Sequence, residues 1–158
     1  MKNTGKLIDS FKATTDEHCG TFDLGIIKID PERIIALNLD VDDIKDDRRM
    51  KKLKDSVKSK GWTNEGPYGF ALLQFPNGDL AVNGGGNHRA YLSKELKKQG
   101  KLQYVKAHVL KVVYLERLPK EVFDRLNELE IIYQSESWQD EEQWNKVLKE
   151  RMEILLSI

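Results

Sequence analysis

The chain has little that would brace it covalently or anchor it in a bilayer. It holds one cysteine, Cys19, which excludes an internal disulfide and fits a reducing compartment. His18 beside it is half of a metal-ligand pair, but no second His/Cys pair stands at zinc spacing. No apolar run approaches the roughly 20 residues that span a membrane, and the N-terminus shows no apolar signal-peptide core. The expected location is the cytoplasm, with no membrane partner. Net charge is also lacking, since 26 Lys and Arg oppose 26 Asp and Glu. That removes the global electrostatic argument for a nucleic-acid partner. What is present is a chain of 158 residues, 39% hydrophobic and 33% charged, enough for one domain or one domain with an appendage.

One stretch organises the rest. Gly84-Gly85-Gly86-Asn87-His88-Arg89 follows the apolar run Leu80-Ala81-Val82 and opens a helical pattern from Asn87 to about Gln99. A strand, a glycine turn and a helix start make an anion site in principle. The first N–H groups of a helix are unpaired and lie at the positive end of its dipole. Glycine lets the backbone come close to a phosphate. His88 and Arg89 fall in the first helical turn, where the dipole disfavours cations. A bound anion would offset that. A plain glycine-rich turn with an exposed arginine is the other reading.

Residues 1–24 read as a loosely ordered arm with at most one short helix. Ile26-Ile27-Lys28-Ile29 reads as a strand ending at Asp30-Pro31, and Arg33-Ile34-Ile35-Ala36-Leu37 as a second strand or a continuation. Asp40, Asp42, Asp43, Asp46 and Asp47 crowd the next loop, without the spacing or the glycine of a calcium loop. The expected role of Asp46 or Asp47 is to cap the helix that follows. That helix spans Arg48 to Lys60, with Met50, Leu53 and Val57 as its apolar stripe and Gly61 as its stop. Its cations are opposed only by Asp55, so Lys51, Lys52 and Lys58 are candidates for nucleic-acid contacts. A solvated helix face is the commoner explanation, and the zero net charge favours it.

Trp62 to Gly69 is a polar loop of the kind that lines sites. Phe70 to Phe75 reads as a buried strand, and Asn77-Gly78 points to a type I′ turn that returns the chain as Leu80 to Asn83. Tyr104 to Leu115 is β-rich. Pro119 stands at the start of a helix carrying Val122, Leu126, Leu129 and Tyr133. Ser137-Trp138-Gln139-Asp140 resembles a capping box before a last helix with Trp144, Leu148, Met152 and Leu155. Those two helices either fold onto the domain or form a homodimer contact.

This order resembles the ParB/sulfiredoxin superfamily. The resemblance rests on Leu53 to Gly61, the Phe70–Val82 hairpin, and Gly85-Gly86-Asn87-His88-Arg89 with its helix. Gly86-Asn87-His88-Arg89 meets the family's Gly-x-His-Arg phosphate motif residue by residue. The likeness covers about residues 25–115, leaving 1–24 as the arm and 116–158 as a helical extension. It implies a compact α+β fold with a small mixed sheet whose glycine turn holds nucleotide phosphates. Arg48 is expected to join Gly85, Gly86, Asn87, His88 and Arg89 there, as the counterpart of an arginine near the start of the ParB domain. Two departures narrow the activity. Asn87 stands where sulfiredoxins carry their catalytic Cys, so sulfinic-acid reduction is not expected. Tyr91 stands where ParB proteins carry a further Arg, and residues 119–158 show no helix-turn-helix.

The expected function is therefore a nucleotide-binding phosphohydrolase or phosphotransferase, kinase activity included, using ATP or CTP with Mg²⁺. His88 and Glu65 are the candidate catalytic residues, with Glu32 as the alternative carboxylate. Two other readings stand beside it. One is a DNA-binding or nuclease-like protein that uses the basic helix. The other is a non-catalytic, nucleotide-gated interaction module whose partner surface includes Trp138 and Trp144.

Overall fold

The structure is a computed structural model that describes residues 1–64, 69–135 and 140–158. It is an α+β fold with C-terminal helices. A mixed sheet has the strand order β1-β3-β5-β4-β6-β2. The strands are β1 (Lys2–Asn3), β2 (Cys19–Ile29), β3 (Ile34–Leu37), β4 (Ala71–Gln74), β5 (Leu80–Val82) and β6 (Val105–Tyr114). The helices are α1 (Thr4–Thr14), α2 (Val41–Ile44), α3 (Arg48–Lys60), α4 (Asn87–Lys98), α5 (Lys120–Ser135) and α6 (Glu141–Ser157). The chain divides into two compact units, Met1–Asp16 with Asp23–Val112, and Glu17–Phe22 with Val113–Ile158.

The first unit holds the candidate site. β3 pairs in parallel with β1 on one side and β5 on the other, β5 pairs antiparallel with β4, and β4 pairs in parallel with β6. Side chains alternate between faces along a strand. On one face Ala36, Phe75 and Ala81 form a cluster covered by Leu7, Ile8 and Phe11 of α1, and the rings of Phe11 and Phe75 meet edge to face at 5.4 Å. Leu72, Leu80 and Val82, which alternate with Leu73 and Ala81, are buried as well. The β4–β5 strands are thus apolar on both sides, as their sequence requires.

Local signals place most elements. Asp47 caps α3 by accepting from the Met50 N–H at 2.8 Å, Met50 is fully buried, and Gly61 ends the helix. Asp40 caps the short α2 through the Asp42 N–H at 2.9 Å, so two members of the acidic loop serve as helix caps. The turn between β4 and β5 departs from the type I′ geometry expected from Asn77-Gly78. The Gly78 N–H bonds the Phe75 carbonyl at 2.8 Å, which puts Pro76 and Asn77 at the centre of the turn. Proline fixes φ near −65° and cannot take the positive value that type I′ needs. Gly78, at φ 91°, supplies the left-handed residue afterwards, and the Phe75 N–H closes the loop on the Asp79 carbonyl at 2.9 Å.

Two expectations for residues 1–24 are corrected. The segment is no loose arm, because Lys2–Asn3 is an edge strand and α1 lies on the sheet. The strand expected at Ile26 begins at Cys19. Gly20, Thr21 and Asp23 look like loop residues, but the strand includes them, and the Asp23 carboxylate takes the Gly25 N–H at 2.6 Å.

In the second unit α5 and α6 form a hairpin with Leu126, Leu129 and Leu155 buried. Arg151 is buried, bonds Glu130 through Nε and lies 4.0 Å over the Tyr133 ring, which stacks on Trp144. Arg125 bonds Glu150 at 2.7 Å. Asp140 caps α6 through the Glu142 N–H, while Ser137, Trp138 and Gln139 of the expected capping box lie outside the described residues.

The α1 contact gives a stability prediction. Phe11→Ala removes an aromatic pair and part of a ring's burial, an expected loss of about 2 kcal/mol. Urea unfolding measures the loss, and amide exchange should show protection falling first across Thr4–Thr14. Unchanged stability would mean that α1 does not hold the sheet.

Candidate functional site

The glycine run leaves β5 and turns into α4. Gly86 is the N-cap residue of α4 at φ 103°, a conformation that a side chain rarely adopts. A Cβ there would also lie 2.6 Å from the Phe70 ring, and one on Gly85 would lie 2.8 Å from the Gly69 carbonyl oxygen. Close packing on Gly69-Phe70 therefore accounts for two of the three glycines without a ligand.

Asn87, 7% exposed, is held by the fold. Its Oδ1 accepts from the Asn38 N–H at 2.8 Å and the Leu39 N–H at 3.2 Å, and its Nδ2 donates to the Gly84 carbonyl at 3.4 Å. Asn38 answers by accepting the Gly84 N–H at 2.8 Å. The two asparagines bracket the end of β3 against the glycine turn. The Asn87 side chain is thus committed to structure.

His88 and Arg89 of the first helical turn are also partnered. His88 Nε2 lies 2.8 Å from Asp47 Oδ2, while Asp47 Oδ1 caps α3. The His88 hydrogen bond, then the Met50 N–H, hold the Asp47 carboxyl below the usual carboxylate range. Arg89 is half-buried, and its Nη2 donates to the Thr63 carbonyl. Its guanidinium lies 5.1 Å from the Trp62 ring centre and 5.8 Å from that of Phe70. Burial lowers its pKa, yet a guanidinium stays charged near neutral pH. Both side chains of the first turn thus have partners within the protein: Asp47 for His88, a carbonyl and two rings for Arg89.

A cleft of about 720 Å³ opens at this helix start. Gly84 to Arg89 form one wall, Asn38, Leu39 and Gly69 another, and Arg49, Lys52 and Leu53 of α3 the third. Gly86 gives α4 no side-chain cap. The cleft thus joins a helix start without a side-chain cap to Arg49 and Lys52, and its lining holds no carboxylate among the described residues.

The structure brings Gly85, Gly86, Asn87, His88, Arg89 and Lys52 to this cleft. Arg48 is not part of the described lining, and Arg49 takes that place, one residue on and three before Lys52. Lys51 and Lys58 line a different cleft, between α3 and α4. Glu32 sits in a short 3-10 turn, Pro31–Arg33, away from the cleft lining. Glu65 lies outside the described residues. Sequence reading missed Asn38 and Arg49, and it saw Asp47 only as a cap. A signal existed for Arg49, because its i, i+3 spacing to Lys52 puts both on one helix side. For Asn38 and for the Asp47–His88 pair no local signal exists.

Comparison with family models, with curated proteins and with solved structures gave no match to this chain. What the site can do follows from its geometry. Among the described residues no group of three or more His, Cys, Asp or Glu converges as metal ligands. No described helix is long and apolar enough to cross a membrane.

Two predictions follow from the bracket and the pair. Asn87→Ala leaves the Asn38 and Leu39 N–H groups without their acceptor, an expected cost of about 1–3 kcal/mol by chemical unfolding. Asp47 has a lowered folded pKa, so its contribution is complete above the ordinary carboxylate value and is lost as pH falls through the folded value. Melting temperatures of the wild type and of Asp47→Asn should therefore differ at neutral pH and converge in strong acid. Parallel curves would show that the pair carries no linkage.

Proposed function

We propose that the protein binds a nucleotide by its phosphates in the glycine cleft and transfers or hydrolyses a phosphoryl group there. The observation that carries this reading is the convergence of the α4 start with Arg49 and Lys52 in a cleft whose described lining has no carboxylate. Backbone N–H groups of a helix start and fixed cations are what a phosphate chain needs. The resemblance to the ParB/sulfiredoxin superfamily in the Gly86-Asn87-His88-Arg89 motif points the same way.

In this reading the roles are divided. The α4 start, Arg49 and Lys52 hold phosphate oxygens. Arg89 fixes the Trp62–Thr63 side of the cleft and adds positive potential. Asp47 orients His88 and fixes which ring nitrogen carries the proton, leaving the other nitrogen for proton transfer or for a hydrogen bond to a phosphate oxygen. Phosphoryl transfer needs mainly such positioning and charge neutralisation. The described lining offers no carboxylate to a metal, so Mg²⁺ fits this cleft only as a nucleotide complex.

The test is a melting series with ATP, CTP and ADP plus Mg²⁺. A bound nucleotide at about 100 times its Kd raises stability by about 2.7 kcal/mol. Arg49→Ala combined with Lys52→Ala should abolish the shift and leave the unliganded melting temperature nearly unchanged, because both side chains are outside the core. No shift with any nucleotide overturns the proposal. A shift without product release or transfer leaves a nucleotide-gated module instead.

A further inference from the structure

The zero net charge of the chain hides a division. Residues 1–16 and 23–112 carry 20 Lys and Arg against 14 Asp and Glu, whereas residues 17–22 and 113–158 carry 6 against 12. Much of the positive excess lines three clefts around α4. The glycine cleft holds Arg49, Lys52 and Arg89. A second cleft, about 570 Å³, holds Lys2, Lys6, Lys94 and Lys98 against Asp40 and Glu95. A third, about 610 Å³ and set between α3 and α4, holds Lys51, Lys54, Lys58 and Lys101 against Asp55 and Glu95.

The clefts are neighbours that share wall residues. Leu39 belongs to the walls of the first and second, and Tyr91 and Glu95 to those of the second and third. A mononucleotide occupies one cleft of this size, so a path through all three matches a polymer of phosphates. Tyr91 stands at a junction, where its ring can take a stacked base between phosphates held on either side. The shape argues against a duplex. Helix α3 lies against α4 and buries Met50, so it does not stand clear as a helix that enters a major groove does. Concave basic clefts with an aromatic side chain between them suit an unstacked strand.

We propose that this path binds single-stranded nucleic acid. The second and third clefts carry the binding, and it stands whether or not a mononucleotide occupies the glycine cleft. Lys51, Lys54, Lys58 and Lys101 hold phosphates on one side of Tyr91, and Lys2, Lys6 and Lys98 hold them on the other.

Fluorescence anisotropy of the full chain with a labelled single-stranded oligonucleotide of mixed sequence tests it. Binding should weaken steeply as salt rises, and Lys54→Glu with Lys58→Glu should lower affinity about tenfold and flatten the log–log salt slope by about 0.7 for each phosphate that is no longer neutralised. Lys146→Glu with Lys149→Glu on α6, an equal charge change, should alter affinity by less than about twofold. Tyr91→Leu should weaken the oligonucleotide about fivefold or more and leave inorganic polyphosphate binding unchanged. Melting curves confirm folding, and Lys101→Glu, an exposed site beyond α4, replaces the double variant if that fails to fold. Absence of binding at low salt overturns the proposal. So does equal loss in the α6 control, tighter binding of the matching duplex, or an equal effect of Tyr91→Leu on polyphosphate. Loss of the nucleotide melting shift with oligonucleotide binding intact sinks only the function proposed for the glycine cleft.

Discussion

The hydrogen bonds of Asp47 tie together two helix starts that are far apart in sequence. One carboxylate oxygen caps α3 through Met50, and the other holds His88 in the first turn of α4. A carboxylate near a helix N-terminus is favoured by the dipole, so Asp47 is stabilised by its own helix while it holds the His88 ring on the next. The separation of α3 from α4 at their starts is fixed by this residue, and with it the position of Arg49 and Lys52 relative to the glycine turn. The cleft is what remains open once those contacts are made.

Sheet topology supplies the rest of the geometry. Strands β3 and β5 are parallel neighbours, so their C-terminal ends emerge on the same side. One end delivers Asn38-Leu39 and the other Gly84-Gly85-Gly86, and the reciprocal bonds of Asn38 and Asn87 lock them together. Loops beyond the carboxyl ends of adjacent parallel strands are a common place for ligands. The glycines serve this junction first. They let the turn pack on Gly69-Phe70, and any phosphate grip uses N–H groups that the packing leaves at the mouth of α4.

Charge behaves in the same layered way. Summed over the chain it vanishes, and it carries no argument about partners. Divided by unit it is strongly polarised, and Lys and Arg outnumber Asp and Glu on the walls of three neighbouring clefts beside one helix. The seven cations of Arg48 to Lys60 are not one face: Arg49 and Lys52 turn to the glycine cleft, and Lys51, Lys54 and Lys58 to the other side of the helix. The acidic excess that cancels them in the total, 12 Asp and Glu against 6 Lys and Arg, lies in the second unit, where Glu150 and Glu130 pair with Arg125 and Arg151.

The sequence by itself determined whatever depends on neighbours within a few residues. The span of α3 between Asp47 and Gly61, the β4–β5 hairpin, the start of α4 after three glycines and the alternation of β6 all follow from local hydrogen bonds and side-chain periodicity. It misread Cys19 to Asp23 and the turn at Pro76, where a polar strand and a proline overrode the composition signal. Only the tertiary structure decided the docking of α1, the Asn38–Asn87 bracket, the Asp47–His88 pair and the choice of Arg49 over Arg48. The bracket and the pair join residues 49 and 41 positions apart, and hydrophobic period carries no information about which polar groups will meet across such a distance. The sheet order fixes that, because placing β5 beside β3 brings their two loops into hydrogen-bond reach.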